Sequence, residues 1–548
     1  MAGKEKQASF ITQGIILAAA SVVVRLIGLI YRIPLANTIG NEGLGAYSNA
    51  FEVYNIALLL STYSIPTAIS KLISEREDKK EYGNSYHLLQ VGMVFAAILG
   101  FLASLLLFVG ADFIAEHVFK EADLSTAIPL KVLAPTIFVF SIMGVIRGFF
   151  QGKHTVIPTS VSQILEQIVN AVVSVVAAKM LISHFSASEK ISAYGAAGGT
   201  LGTLCGALAA LIFLLFVFFS YYPYLKRRVQ KDQIGAYEDR AFLLRAILLT
   251  TVPIILNQTV YSISSLLDSV LLNQILDGKG VADTVRREVF GLYSGKYRLM
   301  TNVPIAIASS IGMATLPSIV QAFTQRNEEM LHGRIAQAIK LNMLIAFPCA
   351  GGMAVLASPI MQFVFGETGE SLTMTSRMMY IGAASIIFFA YSTATNSILQ
   401  GVNKMKVPVI HGLISLAIYL VLDIVLLMFT PLGGYALVIG NMVFPLIISA
   451  LNWLRLRKET GYVQELDRTF LRTGLCTVFM SLLSFLVYRG MHFITRGNNT
   501  IALCVAIFVA IPVYFVMLIM FRAVTEEELY DMPKGALLLR IAKRLRLL

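Results

Sequence analysis

Apolar runs long enough to cross a bilayer recur along almost the whole chain, and they decide what it can fold into. Inside hydrocarbon there is no water for backbone N–H and C=O groups, so a spanning segment must satisfy them internally. A helix needs about 20 mostly apolar residues to cross. Fourteen such runs are read, at 10–34, 46–72, 85–110, 127–150, 157–182, 193–220, 242–274, 290–322, 336–364, 373–400, 406–429, 433–454, 469–488 and 499–522. Only 14% of the 548 residues are charged, against about 25% in a soluble protein. The expectation is an all-α polytopic membrane protein with fourteen transmembrane helices. The first run follows Lys4 and Lys6, as a signal peptide would. It contains Arg25 and Arg32 and has no small-residue cleavage site, so it reads as a retained helix. The seventh and eighth runs hold Pro253 and Pro304, which predicts bends there.

The same unit occurs twice. Gly45-Ala-Tyr-Ser48 opens one run, and Gly291-Leu-Tyr-Ser294 opens another 246 residues later. In that register Ser64 falls on Ser310, Ile65 on Ile311 and Ala68 on Ala314. Gln151-Gly152 before Pro158 matches Gln400-Gly401 before Pro408 at an offset of 249. Six runs separate equivalent positions. Both copies therefore insert the same way round, related by an axis along the membrane normal, and the fold is two parallel six-helix lobes. The expected organisation is an N-lobe at 1–225, a cytoplasmic linker at 226–241, a C-lobe at 242–456, two further helices at 457–524 and a tail at 525–548. The tail, with Leu537-Leu-Leu-Arg540 and Lys543-Arg-Leu-Arg546, reads as a cationic amphipathic helix on the inner leaflet. Repeated halves suggest a transporter with its substrate site between them.

The net charge of +12 is concentrated in alternate loops: Lys71, Arg76, Lys79 and Lys80; Arg147 and Lys153; Lys226, Arg227, Arg228 and Lys231; Arg326 and Arg334; Lys404 and Lys406; Arg455, Arg457 and Lys458. Asp112, Glu116, Glu121 and Asp123 mark one opposite loop, and Glu367 and Glu370 another. The positive-inside rule then puts both termini in the cytoplasm. Lys279, Arg286 and Arg287 in an outer loop blur this pattern. No basic stripe interleaves with aromatics in a soluble segment, so nucleic acid is not an expected partner. Cys205, Cys349, Cys476 and Cys504 lie in apolar runs without CxxC spacing and read as small core residues. The seven histidines form no metal motif, there is no Walker A motif, and the soluble segments are too short for a catalytic domain. An enzyme is not expected.

A charge at the bilayer centre costs about 2.5–3.5 kcal/mol on insertion scales, so each one calls for a partner, a cavity or a boundary position. Arg25 and Arg32 are seven apart and lie within about 20° of one helix face. They point to a shared anion or to water; the alternative for Arg32 is snorkelling to the headgroups. Arg298 has Glu52 as its repeat counterpart. Opposite charges at equivalent positions suggest an asymmetric cavity, or an ion pair that only holds the halves together. Asn302 and Ser309 extend the Arg298 face. Asn257, Tyr261, Ser264 and Asp268 make one polar face of the seventh run, and Asp423 sits within the apolar stretch 418–428. Two buried carboxylates with hydroxyls nearby suit a small cation, or a proton relay; the alternative for each is a helix-to-helix hydrogen bond. Gln163, Glu166, Gln167 and Asn170 either line the N-lobe cavity or form a polar seam between helices. Lys179, Lys340 and Arg377 are read as snorkelling near run ends.

Arg147-Gly-Phe-Phe-Gln-Gly152 followed by Pro158-Thr-Ser-Val-Ser-Gln-Ile-Leu-Glu-Gln-Ile168 resembles a stretch of the polysaccharide transporter family. The likeness is to its SpoVB/YtgP branch, similar to the lipid II flippase MurJ, within the multidrug/oligosaccharidyl-lipid/polysaccharide exporter superfamily that includes MATE transporters. The resemblance implies two six-helix lobes around a cationic cavity, two extra helices and alternating access. It implies that Arg25 and Arg32 correspond to paired first-helix arginines, and that Arg298, within Tyr297-Arg298-Leu-Met300, is a cavity arginine. It also implies a possible Na+ site at Asp268 and Asp423. Tyr419 stands where sodium-binding members can carry Asn, and Glu52 replaces a basic residue of the family pattern.

The expected function is export of a polyprenyl-pyrophosphate-linked saccharide, lipid II foremost, from the inner to the outer leaflet of a bacterial plasma membrane. Arg25, Arg32 and Arg298, with Glu52 and Asn302, are the expected substrate contacts. Asp268, Asp423, Asn257 and Ser264 are the expected cation contacts, for Na+ or H+ coupling without another cofactor. The expected partners are the lipid-linked substrate and membrane lipids, with the chain as a monomer. The alternatives are a flippase for another lipid-linked polysaccharide unit, a MATE-like cation-coupled exporter of drugs, and a non-transporting scaffold for wall synthesis.

Overall fold

The computed structural model describes residues 2–230, 232, 238–526, 528, 540 and 543, with side chains from residue 20 onward except at 21, 22, 63, 252–254, 256–261, 313 and 314. Most of the expected tail and residues 231 and 233–237 of the expected linker lie outside it. Every regular element among the described residues is helical. Packing divides the chain into two compact units, Met1–Gly291 and Leu292–Leu548.

The first unit contains α1 (Ala2–Leu58), α2 (Ile65–Asp78), α3 (Tyr82–Phe113), α4 (Ala127–Gly152), α5 (Ile157–His184), α6 (Ile191–Gln230), α7 (Arg240–Gly278) and the short α8 (Asp283–Phe290). α1 carries helix through the segment expected to separate the first two runs. The break is at Gly40, whose φ of +69° and ψ of 177° only glycine adopts readily. One core of the unit packs Ile69 of α2, Leu88 of α3, Phe149 of α4, Leu214 of α6 and Leu243 of α7. The seventh run, placed by the repeat in the second half, thus packs with helices of the first unit.

The second unit contains α9 (Arg298–Thr324), α10 (Glu328–Val355), α11 (Ala357–Phe365), α12 (Gly369–Gly382), α13 (Ser385–Gly401), α14 (Lys406–Phe429), α15 (Gly434–Thr460), α16 (Thr473–Ile494) and α17 (Asn499–Met520). Its core includes Ile319, Ile335, Ile339, Tyr391 and Ile398. Eleven helices among the described residues are long and apolar enough to span a membrane, or twelve if α12 and α13 count as one bent span. Fourteen runs were expected; the stretch Val23–Asp78 alone holds the second and part of the first.

Bends were expected at Pro253 and Pro304. The Pro253 side chain is outside the described set, and α7 is continuous through it. α9 accommodates both Pro304 and Pro317 as one helix. A 44° bend lies between α12 and α13. There the buried Tyr297 phenol comes within 3.3 Å of the Gly382 carbonyl and 3.4 Å of Ser385 Oγ. A polar side chain inserted at a helix break is a recognised cause of a sharp kink. Gly382 leaves room for it, since a Cβ there would lie 2.5 Å from Tyr297 Cε2.

The two motif matches have structural counterparts. A Cβ on Gly152 would meet Ile73 of α2 at 2.8 Å, and one on Gly401 would meet Ile319 of α9 at 3.2 Å. Residues 73 and 319 are 246 apart, so each copy seats its Gln-Gly helix end on the equivalent helix. The Gly45 and Gly291 motifs make a closer relation within the first unit. A Cβ on Gly45 would press on the Arg287 backbone, 2.5 Å from its carbonyl carbon. One on Gly291 would press on the Asn41 carbonyl and lie 2.8 Å from Gly45 N. Glu42 accepts from Arg287 at 2.7 Å, and Asn41 donates to Glu288 at 3.4 Å. Because 287 is 41 plus 246, and 288 is 42 plus 246, these contacts are reciprocal. This is the signature of a local pseudo-two-fold axis.

Candidate functional site

The arginines that blurred the loop-charge pattern are part of this crossing. Arg286 and Arg287 are 1% and 0% exposed. Arg286 pairs with Asp277 and Asp283, and Arg287 with Glu42 and Asp123, while Glu121 lies 3.8 Å from Arg287. The pairs neutralise both cations locally, so they add little to the loop's net charge. Burial raises the Glu121 carboxyl above its usual range despite Arg287 and the Thr126 hydrogen bonds. At Asp123 burial also pushes upward, but hydrogen bonds from Ser125 and the Arg287 charge outweigh it and hold the carboxyl low.

Of the α1 arginines, Arg25 is exposed, and Arg32 is exposed beside the buried Tyr31 and Tyr47. Tyr31, Tyr47 and Glu52 lie within electrostatic range of Arg32. Glu52 is half-buried. α1, α5 and α6 are tied together just below Arg32: Asn170 donates to Tyr31 Oη at 3.2 Å, and Ser174 donates to Asn170 and to the Gly199 carbonyl at 2.8 Å. This fixes the segment that carries Arg32.

Glu166 belongs to a helix seam. Arg147 of α4 pairs with it at 2.9 Å and donates to Ser162 at 3.0 Å, both carboxylate and guanidinium being nearly buried. Gln163 is half-buried on the same helix, its Oε1 buried and without a partner among the described residues. Arg147, counted in the sequence as a loop cation, is 8% exposed. Its position one helix partner away from Glu166 was the signal available.

On α7, Asp268 is 3% exposed, with Ser265 buried and Ser264 half-buried nearby on the helix. Ser269 donates to Asn49 of α1 at 2.6 Å, and Asn273 to the Ser269 carbonyl. The side chains of Asn257 and Tyr261 lie outside the described set.

In the second unit, a π-helical turn, Gly291–Tyr297, leads into α9 and brings Tyr293, Lys296 and Tyr297 into the core. Lys296 pairs with Glu367, 2% and 8% exposed; Glu367 was expected only as a loop charge. Arg298 is half-buried, with its guanidinium 5.9 Å from the Tyr293 ring centroid. Asn302 is exposed, and Ser309 donates to its own helix at Ile305. Asp423 is fully buried between α14 and α15: a Cβ on Gly440 would fall 2.6 Å from its carboxyl carbon. Tyr419 and Ser415, one and two turns earlier, meet Phe444 of α15 on the same side. Among the described residues, no three His, Cys, Asp or Glu side chains group as a metal site.

Two expectations need correction. Lys340 does not snorkel: it is 5% exposed and makes two 2.6 Å bonds to Glu528, beyond α17. Cys504 is exposed, and only Cys476 of the four cysteines is buried. Lys179 and Arg377 are exposed.

The Polysaccharide biosynthesis protein family model matches residues 11–323, more than half of the chain. The chain belongs to the polysaccharide biosynthesis protein family. A MatE family model also matches residues 299–425 of this family member. Stage V sporulation protein B of Bacillus subtilis (strain 168) is 24% identical to it over 542 residues, covering 97% of this chain and 99% of that protein. Lipid II flippase MurJ of the same organism is 22% identical over 507 residues, covering 91% and 92%. The solved lipid II flippase MurJ in its inward closed conformation superposes with a TM-score of 0.69 at 15% identity, covering 93% of this chain and 99% of that one. This polysaccharide biosynthesis family member is thus a multi-pass membrane protein with a MurJ-like fold.

Proposed function

We propose that the chain is a flippase that carries a polyprenyl-pyrophosphate-linked saccharide, lipid II foremost, from the inner to the outer leaflet by alternating access. The observation that carries this reading is the contrast among intramembrane cations. Arg147, Lys296 and Lys340 are paired to carboxylates by direct salt bridges, whereas Arg25 and Arg32 stay exposed on one side of α1, Arg32 with Tyr31, Tyr47 and Glu52 in electrostatic range. Full-length likeness to MurJ supports the same reading.

Arginine suits a pyrophosphate because its planar fork donates two parallel hydrogen bonds and stays charged. In this reading Arg25, Arg32 and the half-buried Arg298 engage the pyrophosphate, with Glu52 and Asn302 beside them. The saccharide occupies the wet path while the lipid tail stays in the bilayer. Fourteen helices form two parallel lobes plus two, in a bacterial plasma membrane with both termini cytoplasmic. An inside-negative potential favours outward movement of an anionic headgroup by about 2.3 kcal/mol per charge per 100 mV. Asp268 and Asp423 are the carboxylates assigned to sense a driving cation, Na+ or H+.

The MatE match over 299–425 favours a second reading, cation-coupled export of organic cations. Complementation separates the two. A flippase-depleted strain is rescued by the parent chain and not by well-expressed Arg25→Ala or Arg298→Ala under the flippase reading. Full rescue by both variants refutes the arginine clamp.

A further inference from the structure

The first unit carries a groove of about 820 Å³ that no assigned role uses. Its walls come from α3, α6 and α7, with Ile146 of α4 also lining it. On α3 the lining runs from Tyr86 to Ile98. At 1.5 Å per residue this wall is about 18 Å long, close to the roughly 15 Å hydrocarbon depth of one leaflet. The groove is chemically polarised along that length. Tyr86, His87, Gln90 and Arg240 occupy one end, and Val94 and Ile98 continue the α3 wall beyond them. Phe219 of α6 and Leu244 of α7, both exposed, widen the apolar surface.

The polar end lies near Asp232 and Glu238. Asp232 accepts from Gly83 N at 2.6 Å, and Glu238 N donates to Asn84 at 3.1 Å, just before Tyr86. The acid next to Arg240 is occupied: Asp239 caps α7 by accepting from Ala241 N. A one-leaflet apolar wall with an arginine at its polar end matches one kind of occupant in shape and charge. We propose that this groove is a binding site for an anionic two-chain phospholipid of the leaflet on the linker side. Its acyl chains lie along Val94, Ile98 and Phe219, and its phosphate meets Arg240 with Gln90 alongside.

None of Arg25, Arg32 and Arg298 lines the groove, so the proposal stands or falls independently of the proposed transport reaction. The test is native mass spectrometry of the full-length protein purified in mild detergent with equal phosphatidylglycerol and phosphatidylcholine. The variants are Arg240→Gln and Val94→Trp, each checked for an unchanged melting temperature. The parent is expected to retain phosphatidylglycerol over phosphatidylcholine by about fivefold, the effect of one basic residue near an anionic surface. Arg240→Gln removes the preference but keeps lipid bound; Val94→Trp lowers retention of both lipids. Equal retention by the parent, a preference unaltered in Arg240→Gln, or displacement of phosphatidylglycerol by an equal concentration of polyprenyl phosphate overturns the proposal.

Discussion

Replacing Gly45 by alanine tests the crossing at which the repeated motifs meet. The new methyl group would lie 2.5 Å from the Arg287 carbonyl carbon and 2.8 Å from its Cα. These are backbone atoms, so no rotamer change relieves the clash; α1 and α8 must separate. Overpacking of this kind costs about 1–3 kcal/mol. Separation also stretches the 2.7 Å Glu42–Arg287 bond that helps neutralise a fully buried guanidinium, which places the cost toward the upper end of that range. Gly291→Ala meets the same crossing from the other copy, 2.8 Å from Gly45 N, and should cost a similar amount. Once the first methyl has opened the crossing the second has less to displace, so the double variant should lose less than the sum of the single ones. Thermal unfolding of the purified full-length protein in detergent reads all three. Gly278→Ala is the control, since nothing lies within 4 Å of its Cβ position. A Gly45→Ala protein as stable as the parent, or strictly additive losses, would refute the reciprocal-contact reasoning.

The Lys340–Glu528 pair should respond asymmetrically. Glu528→Gln strands an ammonium that is 6% exposed, whereas Lys340→Met leaves a carboxylate that is 38% exposed and still solvated. The first should therefore melt lower than the second, with both costs about 1–3 kcal/mol, between those of exposed and buried pairs. pH gives a further check. Burial pushes Glu528 upward, but hydrogen bonds from Lys340 and Thr525 and the lysine charge bring it below its ordinary value. A carboxyl depressed on folding stabilises above its unfolded pKa, about 4.3, and loses that contribution as pH falls through the folded value. Stability of the parent should drop on acidification below about pH 4.3 more steeply than that of Glu528→Gln, measured as melting temperature against pH. Gly440→Ala should displace the Asp423 carboxylate, because the methyl would take its place. If Asp423 senses the driving cation, this variant loses cation dependence in liposome flipping along with Asp423→Asn; retained dependence in both rules the residue out.

The helices were legible because apolar length is a direct demand of the bilayer, and the repeat was legible because its glycines are required by backbone contact. Their boundaries were not. Lys340 looked close to the start of a run at 336, yet α10 begins at Glu328, which puts the lysine well inside the helix and in need of Glu528. Glu367 looked like a loop charge, but the chain turns back at Gly366, φ +65°, just before it, and carries it into the core against Lys296. Arg287 broke the loop-charge rule on paper because its carboxylate partners, Glu42, Glu121 and Asp123, are far away in sequence, whereas those of Arg286, Asp277 and Asp283, lie close by. A bend also arises without proline: the buried Tyr297 meets the Gly382 carbonyl at the 44° break between α12 and α13. Arg25 and Arg32 could be singled out in advance because their seven-residue spacing is a property of one helix. Whether a charge has a partner on another helix is a three-dimensional property that spacing does not encode.

Transport itself is tested most directly by reconstituting the purified chain in liposomes with lipid II, or another defined polyprenyl-pyrophosphate saccharide, under an inside-negative potential. The quantity read is headgroup appearance on the opposite leaflet. A flippase moves it in the parent, and Arg25→Ala combined with Arg32→Ala abolishes movement without lowering the melting temperature. Unimpaired movement in that folded double variant, or no movement of any lipid-linked saccharide by the parent, would contradict the arginine-clamped flippase.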